Sequence, residues 1–333
     1  MRYGERRRAE QEGRAPRALG ESDYLLLVDD EARQGSLRFA RRTGGPFLAE
    51  PSAQRIPPVI ELPRLLAAAD HAESETATDE ELRLLLAPGS SLGGARPKAT
   101  VREPDGRLAI AKFPQPNDEF DVELWEAVAL TLAEAAGISV PAWRIERISD
   151  KSVLLLNRFD RRVQQRIPFL SAMSMLGTHD HQRRSYLEIA DSLRQYGASP
   201  DADIQQLWRR MAFNVLVSNT DDHLRNHSFL YEEGVGWKLA PAYDLNPVPA
   251  EIKPRILSTS ISFDSAEASL KLALEVAEEF GLKPGEAKSI ARDVGSAVSR
   301  WRQTAKQMSI PEKEISKMAS AFEHSDLEMA RAI

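Results

Sequence analysis

The sequence predicts an α+β protein of two lobes, sheet-rich at the front and helix-rich at the back. Three observations carry that prediction. Up to about residue 160, β-forming runs separated by turn residues dominate, with one long helical stretch at 122–136. Beyond residue 180, apolar residues recur at helical spacing almost to the end of the chain. The 333 residues, 42% hydrophobic and 28% charged, suffice for one large domain or two modest ones.

In chain order, YLLLVDD (24–30) and SLRFA (36–40) read as strands, RIPPVIELP (55–63) as a proline-marked stretch, and Leu65–Ala69 as the start of a helix. AESETATDEE (72–81) reads as an acidic linker or surface turn before a short helix at Glu81–Ala87, and PGSSLGG (88–94) is a glycine-rich loop. KATVREPDGRLAIAKF (98–113) is a hairpin about Asp105-Gly106, a dipeptide suited to a primed turn. Val122–Ala136 has helical spacing and closes at Gly137. WRIERI (143–148) and SVLLLNRF (152–159) are strands. Ser185–Tyr196 and Ile204–Ser218 are amphipathic helices, the second with Leu207, Trp208, Met211, Val215 and Leu216 facing inward. HSFLYEEGVGWKLA (227–240) is a second hairpin. The tail is helical, with segments at 265–280, 284–308 and from Pro311 onward. The corresponding divisions are 1–87, 88–160 and 161–333.

Composition excludes several classes of function. There is no cysteine, hence no disulfide scaffold, thiolate zinc site, iron–sulfur cluster or cysteine nucleophile. The six histidines are scattered, and His179-Asp180-His181 reads as a loop rather than a metal site. A net charge of −6 argues against a surface that grips nucleic acid as a whole. The first twenty residues carry six arginines against three glutamates, a local +3, which leaves −9 on the rest; such a segment reads as a solvated helix or a frayed end, with a partner-binding arm as the alternative. No apolar run approaches the roughly 18 residues of a membrane span, and the charged N-terminus is unlike a secretory signal, so a cytoplasmic location is expected.

The chemistry concentrates in NTDDHLRN (219–226), a polar loop between an amphipathic helix and a hairpin. Asp221 and Asn226 have the D-x-x-x-x-N spacing of a protein-kinase catalytic loop, in which the Asp accepts the substrate hydroxyl proton and the Asn holds Mg²⁺. The hairpin then leads to PAYDLNP (241–247), where Asp244 offers a hard oxygen ligand preceded by Tyr243. Upstream, Gly89, Gly93 and Gly94 bracket a loop that is neither a Walker A nor a G-x-G-x-x-G, since Ala95 stands where a Walker lysine belongs and Lys98 comes later. Lys112 in LAIAKF resembles the strand lysine of a kinase, and Glu123 and Glu126 lie one turn apart on the following helix as alternatives for its partner. Singly, each feature has a plainer reading: a turn, an edge lysine, a surface glutamate, a structural histidine at His223. The ordered series of loop, lysine, glutamate, catalytic loop, hairpin and Asp is what chance rarely reproduces.

The chain resembles the HipA family of serine/threonine kinases, the toxin partners of bacterial toxin–antitoxin systems. SSLGGARPK (90–98) is similar to the family's phosphate loop, and AKFP (111–114), GISVP (137–141), LLNRFDRR (155–162), NVLVSNTDDHLRN (214–226) and LAPAYDLNPVP (239–249) match its successive motifs. The resemblance covers about residues 20–260. It implies a two-lobed, protein-kinase-like fold that uses ATP and Mg²⁺. It makes Asp221 the catalytic residue, Asn226 and Asp244 the metal ligands, Lys112 the nucleotide lysine and Glu126 its partner. Gly93, Gly94, Ala95 and Lys98 would line the phosphates, Asn157, Arg158 and Phe159 would hold the adenine through their backbone, and His223 would contact the nucleotide. Ser91, or its neighbour Ser90, would be the autophosphorylation site, where a phosphate adds negative charge to a loop meant for ATP. The implied partners are a HipB-like helix-turn-helix antitoxin, through which DNA is met indirectly, and a protein substrate, an aminoacyl-tRNA synthetase by resemblance. Only about 90 residues precede the phosphate loop, fewer than the family usually carries, so the first N-terminal subdomain is expected to be missing, either supplied by a separate small protein or lost in a truncated or mis-started copy. Two rivals stand beside this reading: a small-molecule phosphotransferase, which the basic stretch RRVQQRIPFL (161–170) disfavours, and a degenerate kinase serving as an antitoxin-binding module.

Overall fold

The computed structural model of the chain describes residues 5–6, 9–10, 12–26, 28–48, 56–74, 76–86, 96–162 and 165–333. Its contacts divide it into two compact units, Met1–Glu123 with Ala142–Pro168, and Leu124–Pro141 with Phe169–Ile333.

The first unit is built on a four-stranded antiparallel sheet in the order β1 (Lys98–Arg102), β2 (Leu108–Lys112), β4 (Lys151–Asn157), β3 (Trp143–Ile148). Strand side chains alternate between faces. Ala99, Val101, Ala109, Ala111, Val153 and Leu155 form one core with Leu62, Leu65, Leu66 and Ala69 of the helix Leu62–Glu73. The same period puts Lys98, Thr100, Ile110, Lys112, Leu154 and Leu156 on the opposite face. Lys112 pairs in register with Lys98 on one side and Leu154 on the other.

The β1–β2 connection differs from the expected two-residue turn. Glu103 N–H donates to Arg107 O at 2.8 Å and Gly106 N–H to Glu103 O at 2.9 Å, so the loop holds three residues, Pro104–Gly106. Gly106 supplies the left-handed residue at φ 86°. The predicted strand at 24–30 is also corrected. Glu21–Leu26 is a helix, and the chain then turns, with Asp29 Oδ1 accepting the Ala32 N–H at 3.0 Å. Arg33 satisfies the carbonyls of Leu25 (2.5 Å) and Val28 (2.9 Å), so a side chain does what a neighbouring strand would have done. Residues 36–40 contribute only an isolated bridge, Ala40 to Phe47.

This N-terminal segment is fastened to the chain that follows β4. Buried Asp160 accepts from Arg158 Nε (2.9 Å) and Nη2 (2.6 Å), from Arg161 Nη1 (2.8 Å) and from the Gly35 N–H (2.8 Å). Arg158 also donates to Ala32 O at 2.6 Å.

The helix Val122–Ala135, which belongs to the second unit from Leu124 on, ends where expected, at a left-handed Gly137 (φ 75°). Its Trp125 packs near Trp301, which stacks on Phe322 with centroids 4.6 Å apart, and Trp125 Nε1 donates to Glu314 Oε1 at 2.7 Å. The helix Tyr186–Tyr196 starts at a Ser185–Glu188 capping box. It packs on Pro200–Leu216, whose Leu207, Trp208, Met211, Val215 and Leu216 are wholly buried. β5 (Phe169–Ser171), β6 (Ser228–Glu232) and β7 (Gly236–Leu239) form a three-stranded antiparallel sheet.

The predicted helix 284–308 is two, Pro284–Val298 and Trp301–Gln307, and the break lets Trp301 reach the aromatic cluster. Gly295 is required by close packing, because a Cβ there would lie 2.6 Å from the Ala330 Cβ. Likewise 265–280 becomes Leu270–Glu275, capped by Ser269, followed by a 3-10 turn that ends at Gly281.

Candidate active site

The helix Pro200–Leu216 delivers the chain into the polar loop through Ser218, a non-glycine residue at φ 53°. Ser218 Oγ donates to Ala321 O at 2.8 Å, which holds this turn down. The loop then folds on itself. The N–H of His223 donates to Asp221 O at 2.8 Å, the N–H of Asn226 to His223 O at 2.8 Å, and Asn226 Nδ2 to Asp221 O at 3.0 Å. The expected base and the expected metal ligand are thus the two ends of one hydrogen-bonded turn, and five-residue spacing is what that closure requires.

The adjacent acids have opposite surroundings. Asp221 is exposed, whereas Asp222 is 1% exposed. Asp222 Oδ2 accepts from the Tyr186 hydroxyl and from Asn214 Nδ2, and Thr259 Oγ1 donates to Asp222 O at 2.7 Å. Burial pushes the Asp222 carboxyl up to about 7, and the Tyr186, Thr259 and Asn214 donors restrain the rise. His227 Nε2 lies 3.9 Å from Asp222 Oδ2, with its ring edge-on to Tyr186. Burial first, and then the Arg210 charge, push this imidazole down to about 3, so it is neutral at pH 7. Beside the network lies a cavity of about 10 Å³, bordered by Arg210, Asn219, Asp222, Asn226, His227 and Tyr243, with room for about one water.

Asp244 has a left-handed backbone, φ 60°, which Asp and Asn adopt more readily than other side chains. Its N–H donates to Glu126 Oε1 at 3.2 Å, and its Oδ1 accepts from Asn246 Nδ2 at 3.1 Å. The Tyr243 hydroxyl donates to Arg225 O at 2.6 Å. That bond joins the residues immediately before Asp244 and before Asn226. An amide oxygen and a carboxylate are the hard donors Mg²⁺ takes, and because Asn226 Nδ2 is used within its own loop, Oδ1 is the end left for a cation. The donor set fits the ion. Among the described residues, no group of three or more His, Cys, Asp or Glu side chains is arranged to hold a metal.

The other expected site residues lie in the first unit. Lys112 is 8% exposed on β2, on the sheet face opposite the Leu62–Glu73 helix. Lys98 faces the same way on β1. At the end of β4, the N–H groups of Asn157 and Arg158 are taken by Ala142 O (2.8 Å) and Leu108 O (2.9 Å), and the Arg158 side chain is buried against Asp160. Phe159 follows directly. Glu123 is 1% exposed and paired with Arg96 at 3.0 Å; burial pushes its carboxyl up to about 7 against the pull of that arginine. Of the two helix glutamates, Glu126 is therefore the one joined to Asp244. Gly93, Gly94, Ala95, Ser90 and Ser91 lie outside the described residues.

Sequence reading missed the Asp222–Tyr186–Asn214–Thr259 network. The signal was present in the paired acids of NTDDHLRN, but only burial tells which carboxylate is structural.

The model of the HipA-like C-terminal domain family matches residues 90–301, more than half of the chain, and the chain belongs to that family. A Sinorhizobium fredii protein named "Putative kinase Y4mE" is 29% identical over 195 residues, 51% of this chain and 43% of the relative. A Haemophilus influenzae protein named "Putative kinase" is 26% identical over 151 residues, 40% of this chain and 44% of the relative. Each match thus spans under half the relative's length. Among solved structures, the HipA, HipB and operator DNA complex of Shewanella oneidensis MR-1 matches with a TM-score of 0.56 at 19% identity, over 72% of this chain and 66% of that chain. The fold is HipA-like. No helix among the described residues is long and apolar enough to cross a membrane.

Proposed function

We propose that this protein is an ATP- and Mg²⁺-dependent serine/threonine protein kinase, the toxin of a toxin–antitoxin pair. The observation that carries the reading is the Tyr243–Arg225 hydrogen bond, which couples the segment of Asp244 to the loop of Asp221 and Asn226. Family membership supports the same chemistry.

In this reading Asp221 accepts the proton of the acceptor hydroxyl as its oxygen bonds to the γ-phosphorus. The bond from that phosphorus to the bridging oxygen breaks, and ADP leaves. Asn226 and Asp244 hold the metal, which when bound neutralises phosphate charge. Lys112 holds the α- and β-phosphates, and Glu126 fixes the backbone at Asp244. Lys98 and the loop at 93–95 flank the phosphates, His223 contacts the nucleotide, and the backbone at Asn157–Phe159 receives the adenine. Ser91 or Ser90 is the self-modification site, the acceptor class is a protein such as an aminoacyl-tRNA synthetase, and the partner is a HipB-like antitoxin.

The test is calorimetric titration of ATP with and without Mg²⁺, paired with transfer of labelled γ-phosphate. Metal-dependent binding with label on protein supports the proposal. Nucleotide binding without transfer, in the presence of candidate partners, would favour a binding module.

A further inference from the structure

The chain beyond Asp244 returns to the Asp221 loop and is bolted to its backbone. Ser258 Oγ donates to Thr220 O at 3.0 Å, and Thr259 Oγ1 to Asp222 O at 2.7 Å. Arg255, largely buried, donates to Val215 O (2.9 Å) and Ser218 Oγ (3.1 Å) and pairs with Asp326 (2.7 Å). Ahead of these anchors stands Lys253, whose Nζ lies 3.5 Å from Asp221 Oδ1 and 3.4 Å from Thr220 O. The other basic side chains of the two segments are engaged elsewhere, Arg225 with Asp180 and Arg255 with Asp326.

Stability does not account for Lys253. The side chains of Lys253 and Asp221 are 42% and 62% exposed, and an exposed pair contributes about 0–1 kcal/mol. Arg255 already does the anchoring. What the contact does is place an ammonium group beside one oxygen of an exposed carboxylate. A cation next to that carboxylate also lies beside any phosphoryl group delivered to it, where charge spreads over the transferring oxygens.

The geometry points to Lys253 as a positioning residue for phosphoryl transfer. It holds Asp221 Oδ1 so that Oδ2 meets the acceptor hydroxyl. The acceptor's proton passes to Asp221, and the acceptor oxygen bonds to the γ-phosphorus as ADP departs. This inference rests on the kinase reading above.

The experiment uses the full chain with Mg·ATP and compares wild type, Lys253→Met, Lys253→Arg and Asp221→Asn, and Lys253→Met combined with Asp221→Asn. Lys253→Met is expected to lower kcat roughly ten- to a hundred-fold, the scale of a displaced reacting group. KM for ATP and Tm should stay at their wild-type values, and Lys253→Arg should restore most of kcat. In the Asp221→Asn background, Lys253→Met should add almost nothing, because the group it positions has gone. A wild-type kcat in Lys253→Met, or a full further loss in the Asp221→Asn background, overturns the inference and leaves the kinase reading standing. A wild type that transfers no phosphate overturns both.

Discussion

The backbone N–H of Asp244 donates to Glu126 Oε1 at 3.2 Å, so a helix glutamate holds the left-handed turn that presents the Asp244 carboxylate. Glu126 is 2% exposed. Removing its carboxylate takes away this part-buried hydrogen bond to a charged acceptor, a contact worth about 1.5–3 kcal/mol. Glu126→Ala should lower the denaturant midpoint accordingly and weaken Mg²⁺-dependent nucleotide binding, while Glu126→Gln, which keeps an acceptor, should lose less of both. Equal losses in the two variants would show that charge, not the hydrogen bond, is what matters.

Asp244→Asn separates fold from metal. Asn tolerates the same φ of 60°, so thermal unfolding should be close to wild type. Mg²⁺-dependent transfer should fall by at least about a hundred-fold, the scale of losing one electrostatic stabiliser.

The buried pair Asp222 and His227 should give stability two opposing pH dependences. The Asp222 carboxyl is raised from 3.8 to about 7, so its contribution is complete below pH 3.8 and is lost as pH climbs through 7. The His227 imidazole is lowered from 6.5 to about 3, so its contribution is present above 6.5 and is lost as pH falls toward 3. Each spans on the order of 4 kcal/mol, and over pH 4–6.5 they largely cancel. His227→Phe should therefore become less stable as pH rises from 4 to 7, and Asp222→Asn less stable as pH falls from 6.5 to 3. Urea titrations at half-unit pH steps check both signs.

Asp160 gathers Arg158, Arg161 and the Gly35 N–H in a nearly dry site. Burial alone would raise its pKa, but the charges of Arg158 and Arg161 more than offset that and leave it lowered. Its contribution is present above the usual carboxylate range and is lost as pH falls through the lowered value. Asp160→Ala strands two arginines in the interior and should cost about 3–5 kcal/mol. Limited proteolysis near residue 35 should accelerate with it.

Much of the fold was legible because local rules and tertiary contacts agree. The 98–113 hairpin, the helix closed by Gly137 and the Ser185 capping box all carry their end signals in sequence. YLLLVDD reads as a strand, yet Arg33 closes the Leu25 carbonyl of a helix there, and no local period reveals a side chain eight residues away. The break at 299–300 likewise serves Trp301 and Phe322, which are distant in sequence. At the candidate site, the order of Asp221, Asn226 and Asp244 was visible. The Tyr243–Arg225 tie, the Glu126–Asp244 bond and the burial of Asp222 were not, since each depends on residues brought together by folding.

Phosphate transfer by the Asp221 site is the central claim, and intact mass after incubation with Mg·ATP, wild type beside Asp221→Ala, tests it most directly. The account predicts a gain of one phosphate in the wild type only, mapped to Ser91 or Ser90, with ATP still bound by the variant. Equal phosphate gain in both proteins would contradict the role given to Asp221. No gain in either, with antitoxin and acceptor candidates supplied, would contradict the kinase itself.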